Sequence, residues 1–339
     1  MKKYIRFAGF AFLLFILAGC RLQREVLIDG NTMGTTYHIK VVAGYFDRIS
    51  DLKEKIDRRL KEINDSMSIY EANSEISQFN AIQNTDERFA VSEDFFSVIK
   101  AAEKLYHLTN GAWDGTIKPL VDLWGFGSPS VQKKIPAKQL IDRLLADVGF
   151  SHIEISDSRH IRKKRPLLSL DLNSIAKGYA VDRIAAVIRE NGSEDFLVEV
   201  GGEVYASGTK KGGQPWRVGI NRPLKDASVS QVYRVVTLQN LALATSGDYR
   251  NFFEIEGRRY SHVLDPRTGY PVRNSVVSAS VMAETCTFAD GLATALMVMG
   301  ADKGLALVER LDKVEAMIVI QQTDGLLVDY FSNGFKVSQ

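Results

Sequence analysis

The segment 260–271 places a histidine three residues before an aspartate, and a sharp turn follows the pair at once. His262 and Asp265 precede Pro266 and Gly269. Proline fixes φ and lacks a backbone donor, and glycine accepts positive φ, so the chain is predicted to bend directly after Asp265. A histidine and an aspartate held at a bend are suited to proton transfer. A lone His-x-x-Asp is a weak signal, because most such pairs are accidental neighbours on a surface.

Asp290 and Thr294 lie four residues apart in a segment that is predicted to be helical, so both side-chain oxygens project from one face. A carboxylate and a hydroxyl in an otherwise apolar helix need a partner inside the protein or a ligand. Hard oxygen donors of this kind suit Mg²⁺, which usually shares its coordination with phosphates. The structural alternative is that Thr294 bonds back to its own helix and Asp290 pairs with a lysine.

The segment 171–182 is predicted to run from a strand end into a helix. Backbone N–H groups at a helix start favour anions, so this junction is a candidate pyrophosphate site. It contains neither G-x-G-x-x-G nor G-x-x-x-x-G-K-[ST], so neither a Rossmann site nor a P-loop is supported. An ordinary helix capped by Asn173 or Ser174 is the alternative.

Two aromatic residues, Tyr70 and Trp113, each stand beside small or polar residues. Aromatic faces stack on flat rings, and an isoalloxazine is such a ring. A half-buried place in the core explains either residue equally well. The segments 200–203 and 245–250 are predicted loops at which backbone can approach a ligand closely, and plain turns are the alternative for both.

These groups need a scaffold, and hydrophobic periodicity predicts one with more strands than helices. Predicted helices run from Leu52 to Met67, from the cap Ser92 to Asn110-Gly111, and over 136–148, 175–190, 285–299 and 303–311. Predicted strands cover 35–42, 153–155, 167–172, 196–205, 216–220, 233–238, 252–255 and 276–283, and 316–331 is a predicted hairpin. Because strands do not alternate strictly with helices, an α+β fold is favoured over a doubly wound sheet.

The N-terminal residues predict a secretory lipoprotein signal. Three basic residues precede an apolar run over 7–17 that is short for a membrane span, and Leu-Ala-Gly precedes Cys20. We expect acylation of Cys20, with an uncleaved anchor as the alternative. The predicted domains are a signal peptide over 1–19, a membrane tether over 20–28 and one functional domain over 29–339.

Composition excludes several function classes. Removal of residues 1–19 takes away three Lys/Arg residues and no Asp/Glu, which changes the formal net charge from +2 to −1. Nucleic-acid binding needs a basic footprint, so nucleic acid is not an expected partner. The two cysteines, Cys20 and Cys286, cannot form a disulfide once Cys20 is acylated. Together with five scattered histidines they offer no zinc or iron–sulfur spacing.

Together and in this order, these segments resemble the ApbE family, the FAD:protein FMN transferases. The matching segments cover nearly the whole chain after the tether: 33–36, 67–77, 111–114, 123–127, 175–182, 201–203, 246–249, 260–269 and 289–294. The resemblance implies an α+β, T-fold-like domain of mixed sheets and flanking helices, with FAD in a central cleft between two lobes. Asn173-Ser174 and Trp113 depart from the residues common in the family, which affects the detail of the pocket.

The resemblance also assigns roles to single residues. Positions that match family contacts to FAD are Met33, Tyr70, Gly111, Ala112, Trp113, Asp114, Asn173, Tyr179 and Leu264. It implies a Mg²⁺ ion between the carbonyl of Ala176 and the side chains of Asp290 and Thr294. His262 matches the proposed catalytic histidine, with Asp265 as its partner.

The implied reaction moves the FMN half of FAD to a threonine or serine hydroxyl of a partner protein and releases AMP. The same site would serve a Mg²⁺-dependent FAD pyrophosphatase with water as acceptor, and a flavin-binding lipoprotein without turnover is the other alternative. The implied acceptors are subunits of Nqr- and Rnf-type membrane redox pumps that carry an Asp-Gly-x-[Ser/Thr]-Gly-Ala-Thr-like motif. The implied location is the periplasmic side of a bacterial membrane, and Arg21 after Cys20 leaves inner and outer membrane open.

Overall fold

The structure is a computed structural model that describes residues 23–45, 49–127, 134–156, 158–224, 226–227, 231–249 and 251–338. The predicted signal peptide, Cys20 and Arg21 lie outside these residues. The helices of the described residues are α1 (Leu52–Met67), α2 (Glu75–Ala81), α3 (Glu93–Leu108), α4 (Lys118–Leu123), α5 (Lys138–Leu145), α6 (Asn173–Glu190), α7 (Cys286–Met299) and α8 (Ala301–Val308). A 3₁₀ turn covers Phe150–His152. None of these helices combines the length and the apolarity that a membrane-spanning segment requires.

The strands form one large sheet and several small ones. They are β1 (Gln23–Thr32), β2 (Thr35–Gly44), β3 (Phe89–Ala90), β4 (Ile153–Ser156), β5 (His160–Lys163), β6 (Phe196–Val200), β7 (Glu203–Ser207), β8 (Trp216–Asn221), β9 (Val232–Leu238), β10 (Leu241–Gly247), β11 (Phe252–Ile255), β12 (Arg258–Ser261), β13 (Leu264–Asp265), β14 (Tyr270–Pro271), β15 (Val276–Ala283), β16 (Glu315–Gln321) and β17 (Leu327–Phe331). The large sheet has the order β1-β2-β6-β7-β10-β15-β16-β17, and all of its neighbours are antiparallel.

Both faces of the large sheet are covered. In β2, Tyr37, Ile39 and Val41 are buried among the residues of α1, α6 and α7, as the two-residue period of a strand requires. On the opposite face Val204 and Trp216 belong to a second apolar cluster, which the β8–β9 hairpin helps to cover. All eight residues of β15 are buried. The centre of the sheet is therefore a rigid base for α7, which packs on β10 and β15.

A smaller apolar cluster joins α4 and α5 to the segments β11–β14. Its buried members include Leu120, Trp124 and Leu264. The indole Nε1 of Trp124 donates to the carbonyl oxygen of Gly269 at 2.9 Å, and its ring lies 5.9 Å from that of Tyr260. The turn that follows the predicted catalytic histidine is thereby fixed to the helices, and Gly269 has φ of +76° as this turn requires.

Most predicted elements are confirmed. The helices α1, α3, α5, α6, α7 and α8 and the strands β2, β4, β8, β9, β11, β15, β16 and β17 lie where the sequence predicts them, with ends shifted by a few residues. Helix α3 begins as predicted, because the Ser92 hydroxyl accepts the N–H of Phe95 at 3.2 Å. It ends at Leu108, and Asn110 and Gly111 follow at positive φ as predicted, with the N–H of Gly111 donating to the carbonyl of Tyr106 at 2.9 Å. The α+β class is confirmed.

Several predictions are wrong. The tether predicted over 20–28 gives way at Gln23 to β1, which pairs with β2 along its whole length. The sequence conceals β1 because it is an edge strand with mostly exposed side chains, so its apolar alternation is weak. The predicted strand 196–205 is two strands with a tight turn at Gly201 and Gly202, both at positive φ. The predicted strand 167–172 has only an isolated bridge from Ser169 to Ile117.

Candidate functional site

A cleft of about 470 Å³ opens where four parts of the fold meet. The end of β10, the first turn of α6, the middle of α7 and the connection from β12 to β13 all contribute to its walls. This volume lies within the usual range for sites that bind small molecules. Nine of the residues assigned by the resemblance line it: Tyr70, Ala112, Trp113, Asp114, Asn173, His262, Leu264, Asp290 and Thr294.

The two aromatic residues that the resemblance assigns to the flavin differ in exposure. Trp113 is 2% exposed, and its Nε1 donates to the Ser174 hydroxyl at 3.0 Å, so most of its ring belongs to the core. Tyr70 is 71% exposed at the rim of the cleft. A large exposed aromatic at a cleft can stack on a flat ring without rearrangement of the core. Of these two, Tyr70 is therefore the one whose face is open to a ligand.

Asp114 uses its carboxylate to organise the loop that carries it. Oδ1 accepts the N–H and the hydroxyl of Thr116 at 2.9 and 2.7 Å, and Oδ2 accepts the N–H of Phe150 at 3.1 Å. Burial raises the pKa of Asp114 to about 6, and the hydrogen bonds from Thr116 and Phe150 oppose that rise. The loop from Ala112 is thus anchored to the 3₁₀ turn, which fixes the wall of the cleft.

The start of α6 differs from the predicted cap. Oδ1 of Asp171 accepts the N–H of Asn173 at 2.9 Å, whereas neither Asn173 nor Ser174 caps the helix. The reason is that α6 begins at Asn173 itself, so both residues already have helical conformation. Asp171, Asn173 and Ser174 all line the cleft, so this helix start faces it as expected.

Helices α6 and α7 touch at Gly178 and Asp290. The N–H of Gly178 donates to Oδ2 of Asp290 at 2.9 Å. A Cβ atom at position 178 would lie 2.3 Å from the carbonyl oxygen of Cys286, so only glycine allows this contact. The contact brings Asp290 to the first turns of α6, where Ala176 is buried and Lys177 lines the cleft.

Two buried carboxylates share one ammonium group beside this contact. Nζ of Lys177 lies 3.3 Å from Oε1 of Glu203 and 3.9 Å from Oδ2 of Asp290. Burial raises the pKa of Glu203 to about 8 and raises that of Asp290, and Lys177 opposes both effects. Burial also acts to lower the pKa of Lys177, but the charges of Asp290 and Glu203 outweigh it and raise that pKa. Within the described residues Oε2 of Glu203 is buried without a hydrogen-bond partner.

The site has the chemistry of a hard cation site. Thr294 Oγ1 lies 2.8 Å from the hydroxyl of Ser246 and not on a carbonyl of its own helix, whereas Asp290 does have a lysine, Lys177, at 3.9 Å as the structural alternative expected. Because burial disfavours the ionised forms of Glu203 and Asp290, a divalent cation beside Asp290 would stabilise its charged form. In the part of the chain that the structure describes, no group of three or more His, Cys, Asp or Glu side chains has the arrangement to hold a metal ion by itself. Asp290 and Thr294 line the cleft and offer oxygen atoms, which fits Mg²⁺, whereas Ala176, whose carbonyl the resemblance adds to them, does not line it.

His262 stands at the rim of the cleft with a fixed ring. The backbone N–H of His262 donates to the carbonyl oxygen of Asn251 at 3.1 Å, and the ring nitrogen Nδ1 lies 3.0 Å from the same oxygen. A carbonyl only accepts, so Nδ1 carries a proton, and in the neutral form of the ring Nε2 is the nitrogen without one. The Asp265 carboxylate is held by Arg267, at 2.8 Å to Nε and 2.9 Å to a terminal nitrogen. Asn251 thus orients the ring, a role that the sequence analysis had assigned to Asp265.

Comparison with known proteins decides the family. The model of the ApbE family matches residues 33–318. The chain belongs to the ApbE family.

Individual ApbE relatives match almost the whole chain. A FAD:protein FMN transferase of Vibrio cholerae is 42% identical over 326 residues, which are 95% of this chain and 96% of that protein. The structure of the flavin transferase ApbE from Vibrio cholerae superimposes with a TM-score of 0.83 at 40% identity, covering 92% of this chain and 98% of that one. The apo structure of the Pseudomonas stutzeri flavinyl transferase ApbE superimposes with a TM-score of 0.83 at 34% identity and covers 92% of this chain and 95% of that one.

Three residues that the ApbE resemblance assigns to FAD lie elsewhere. Tyr179 turns its hydroxyl to Oδ1 of Asp94 at 2.6 Å, and Asp94 also binds the guanidinium of Arg59. Met33 sits in the β1–β2 turn at φ of +48° and packs partly against the main core. Gly111 lines a neighbouring cavity. Their contacts to FAD remain predictions, and the structure gives Tyr179 a bond between helices instead.

Sequence reasoning did not assign roles to four residues that complete this ApbE site: Lys177, Glu203, Ser246 and Asn251. The first three stand inside the motifs that carry the resemblance, so their positions were visible but their contacts were not. Asn251 acts through its backbone carbonyl, for which side-chain chemistry gives no signal.

Proposed function

We propose that this protein transfers the FMN half of FAD to a threonine or serine hydroxyl of a partner protein, and that AMP leaves. One observation carries the proposal. The cleft combines an open aromatic face at Tyr70, a hard-cation donor set at Asp290 and Thr294, and an oriented imidazole at His262. The relatives named FAD:protein FMN transferase match the chain over nearly their full length, which supports the same reaction here.

The reaction breaks one phosphoanhydride bond and makes one phosphoester bond. The acceptor hydroxyl oxygen attacks the phosphorus on the FMN side, and the bond from that phosphorus to the AMP oxygen breaks. His262 takes the hydroxyl proton on Nε2, because its Nδ1 proton is held by the Asn251 carbonyl. A bound Mg²⁺ would offset the negative charge that builds on the diphosphate oxygens.

The other residues of the cleft position the substrate. Tyr70 offers its face to the isoalloxazine, and the loop fixed by Asp114 forms the adjoining wall. Asp290 and Thr294, with the carbonyl of Ala176, would hold the cation. Lys177 supplies further positive charge beside Asp290, where the diphosphate is expected.

We infer from the residues before Cys20 that the protein is a lipoprotein on the periplasmic side of a bacterial membrane. The acceptors that the resemblance implies, subunits of Nqr- and Rnf-type pumps, suit that location. The short chain between Cys20 and β1 would hold the body close to the membrane surface, since an extended chain spans at most about 3.6 Å per residue.

The test is incubation with FAD, Mg²⁺ and a peptide that carries the acceptor motif, read by flavin fluorescence in a denaturing gel. The proposal expects a fluorescent peptide whose mass increases by one FMN, and no product from a peptide with alanine at the acceptor position. AMP release at the same rate without any peptide would favour the pyrophosphatase. A stable FAD complex without AMP over hours would favour the flavin-binding lipoprotein.

A further inference from the structure

His262 and the cation donors belong to different parts of the fold. Asp290 and Thr294 lie on α7, which packs on the central sheet. His262 follows the two-stranded β11–β12 hairpin, which is not part of that sheet. Proton transfer requires heavy atoms within about 3 Å, so the hairpin needs a fixed position relative to the sheet.

Asp248 provides an anchor for the hairpin at the end of β10. Its side chain is buried, and its N–H donates to the carbonyl oxygen of Val277 in β15 at 3.3 Å. One terminal nitrogen of Arg259 donates to both the carbonyl oxygen and Oδ1 of Asp248, at 2.8 and 3.0 Å. Burial raises the pKa of Asp248, and the charge of Arg259 and a hydrogen bond from Ser261 oppose that rise. Residues directly before His262 are therefore attached to the central sheet.

Arg259 also braces the hairpin from within. Its guanidinium carbon lies 4.2 Å from the centre of the Phe252 ring in β11, and Phe252 pairs with Ser261 in β12. His262 follows Ser261, and Asn251 precedes Phe252. The backbone N–H and the ring Nδ1 of His262 both lie within hydrogen-bond distance of the carbonyl oxygen of Asn251. A shift of Arg259 would thus move both the histidine and the carbonyl that selects its tautomer.

We propose that Asp248 and Arg259 are positioning residues for His262. The proposal rests on the proposed function, in which His262 is the base. Neither residue is among those that line the cleft, and both line a separate cavity with Tyr270 and Ser275. They act on the reaction through the placement of the imidazole and not through contact with FAD.

A matched ion pair elsewhere in the fold separates positioning from stability. Arg234 of β9 binds Asp329 of β17 through Nε at 2.9 Å, and the side chains are 39% and 8% exposed. The corresponding values for Arg259 and Asp248 are 31% and 9%. Both pairs join a hairpin to an edge or end of the central sheet, but the Arg234 pair does not line the cleft. Arg234→Gln is therefore the control for Arg259→Gln.

The first measurement compares kcat for FMN transfer with the Kd of FAD. Arg259→Gln is expected to lower kcat by up to about 100-fold, the loss that a misplacement of 1 Å can cause, while the Kd of FAD stays unchanged. Arg259→Lys, which keeps the charge, is expected to restore part of the rate. Arg234→Gln is expected to keep the full kcat at a similar melting temperature. Equal losses of kcat in both glutamine variants would overturn the proposal.

The second measurement is a double-mutant cycle with His262→Ala. If Arg259 acts through His262, Arg259→Gln adds no further loss of rate to His262→Ala. If the double variant instead loses rate by the product of the two single losses, Arg259 acts independently of the histidine, which would contradict the proposal.

A spectroscopic readout does not depend on transfer. In ¹⁵N spectra the His262 signal, identified by its disappearance in His262→Ala, is expected to show the Nδ1-protonated tautomer in the wild type and a mixture in Arg259→Gln. If the wild type and Arg259→Gln show the same tautomer, the positioning role is refuted even if the wild type transfers FMN. A wild type that transfers no FMN but shows this tautomer shift would reject the proposed function and leave the positioning role supported. If Arg259→Gln does not fold, Arg259→Lys and Asp248→Asn provide the same comparison.

Discussion

Gly178 and Asp290 touch across the interface of α6 and α7. The Gly178 N–H donates to Oδ2 of Asp290 at 2.9 Å, and a Cβ atom on residue 178 would lie 2.8 Å from the Cβ of Asp290. This contact joins the helix start that faces the cleft to the helix that carries the carboxylate. The proposed cation donors, Ala176 on one helix and Asp290 with Thr294 on the other, depend on it.

Gly178→Ala should therefore separate the two helices. The new methyl group would meet the Cys286 carbonyl at 2.3 Å, and overpacking of this kind typically costs about 1–3 kcal/mol of the free energy of unfolding. We expect weaker Mg²⁺ binding and loss of transfer together with that loss of stability. Calorimetry of Mg²⁺ binding and chemical denaturation measure both. Gly304→Ala in α8, where the nearest atoms are side-chain carbons at 3.1 Å, is the control, and its Mg²⁺ affinity should equal that of the wild type.

Asp290→Ala should abolish transfer and weaken FAD binding, because the diphosphate loses the cation that offsets its charge. EDTA should have the same effect on the wild type, and added Mg²⁺ should restore the wild type but not the variant. Because burial raises the pKa of Asp290, and a carboxylate must lose its proton to bind a cation, Mg²⁺ affinity should fall as the pH is lowered. Full activity of the wild type in EDTA would refute the cation site.

Tyr70→Ala tests the open face of the cleft. Stacking of a flat base on an aromatic side chain is worth about 1–3 kcal/mol, so the Kd of FAD should rise by roughly 5- to 150-fold. Since Tyr70 is 71% exposed, its removal should leave the melting temperature unchanged. Fluorescence of bound flavin should increase, because the quenching ring is gone. Tyr45 is 58% exposed on another part of the surface, so Tyr45→Ala should change neither the Kd of FAD nor the fluorescence of bound flavin. An unchanged Kd together with a lower melting temperature would make Tyr70 a structural residue.

Tyr179→Phe separates a structural role from the FAD contact that the resemblance implies. The hydroxyl of Tyr179 donates to Asp94, and hydrogen bonds to charged groups contribute about 1.5–3 kcal/mol. We expect a loss of this size in the free energy of unfolding and an unchanged Kd for FAD. A higher Kd for FAD with an unchanged free energy of unfolding would show that Tyr179 contacts FAD.

Much of the fold is predictable because the elements that carry it bury one face. The spacing of Leu52, Ile56, Leu60 and Ile63 specifies α1, and these residues are buried as the period requires. Strand β1 escaped prediction because edge strands need few apolar residues. The continuous strand predicted over 196–205 is wrong because the segment is apolar on both sides of Gly201 and Gly202, although the loop predicted over 200–203 lies where the β6–β7 turn is.

The residues of the site also fall into those that could be predicted from the sequence and those that could not. Side chains whose chemistry is distinctive, such as Asp290 and His262, are visible in the sequence together with their motifs. Their partners are not, because the carbonyl of Asn251 and the charge shared by Lys177 and Glu203 exist only when distant segments meet. Asp265 is near His262 in sequence, yet Arg267 satisfies its carboxylate.

Single-turnover transfer by His262→Ala, measured beside calorimetric FAD binding on the same preparation, tests the central claim most directly. A group that acts only in the transition state lowers the rate and leaves ground-state affinity alone. We predict wild-type Kd values for FAD and Mg²⁺ and a transfer rate at least about a hundredfold lower, the low end for a lost general base. Loss of FAD affinity and stability in proportion to the loss of rate, with a residual rate that keeps the wild-type pH profile, would instead make His262 a structural residue of the bend.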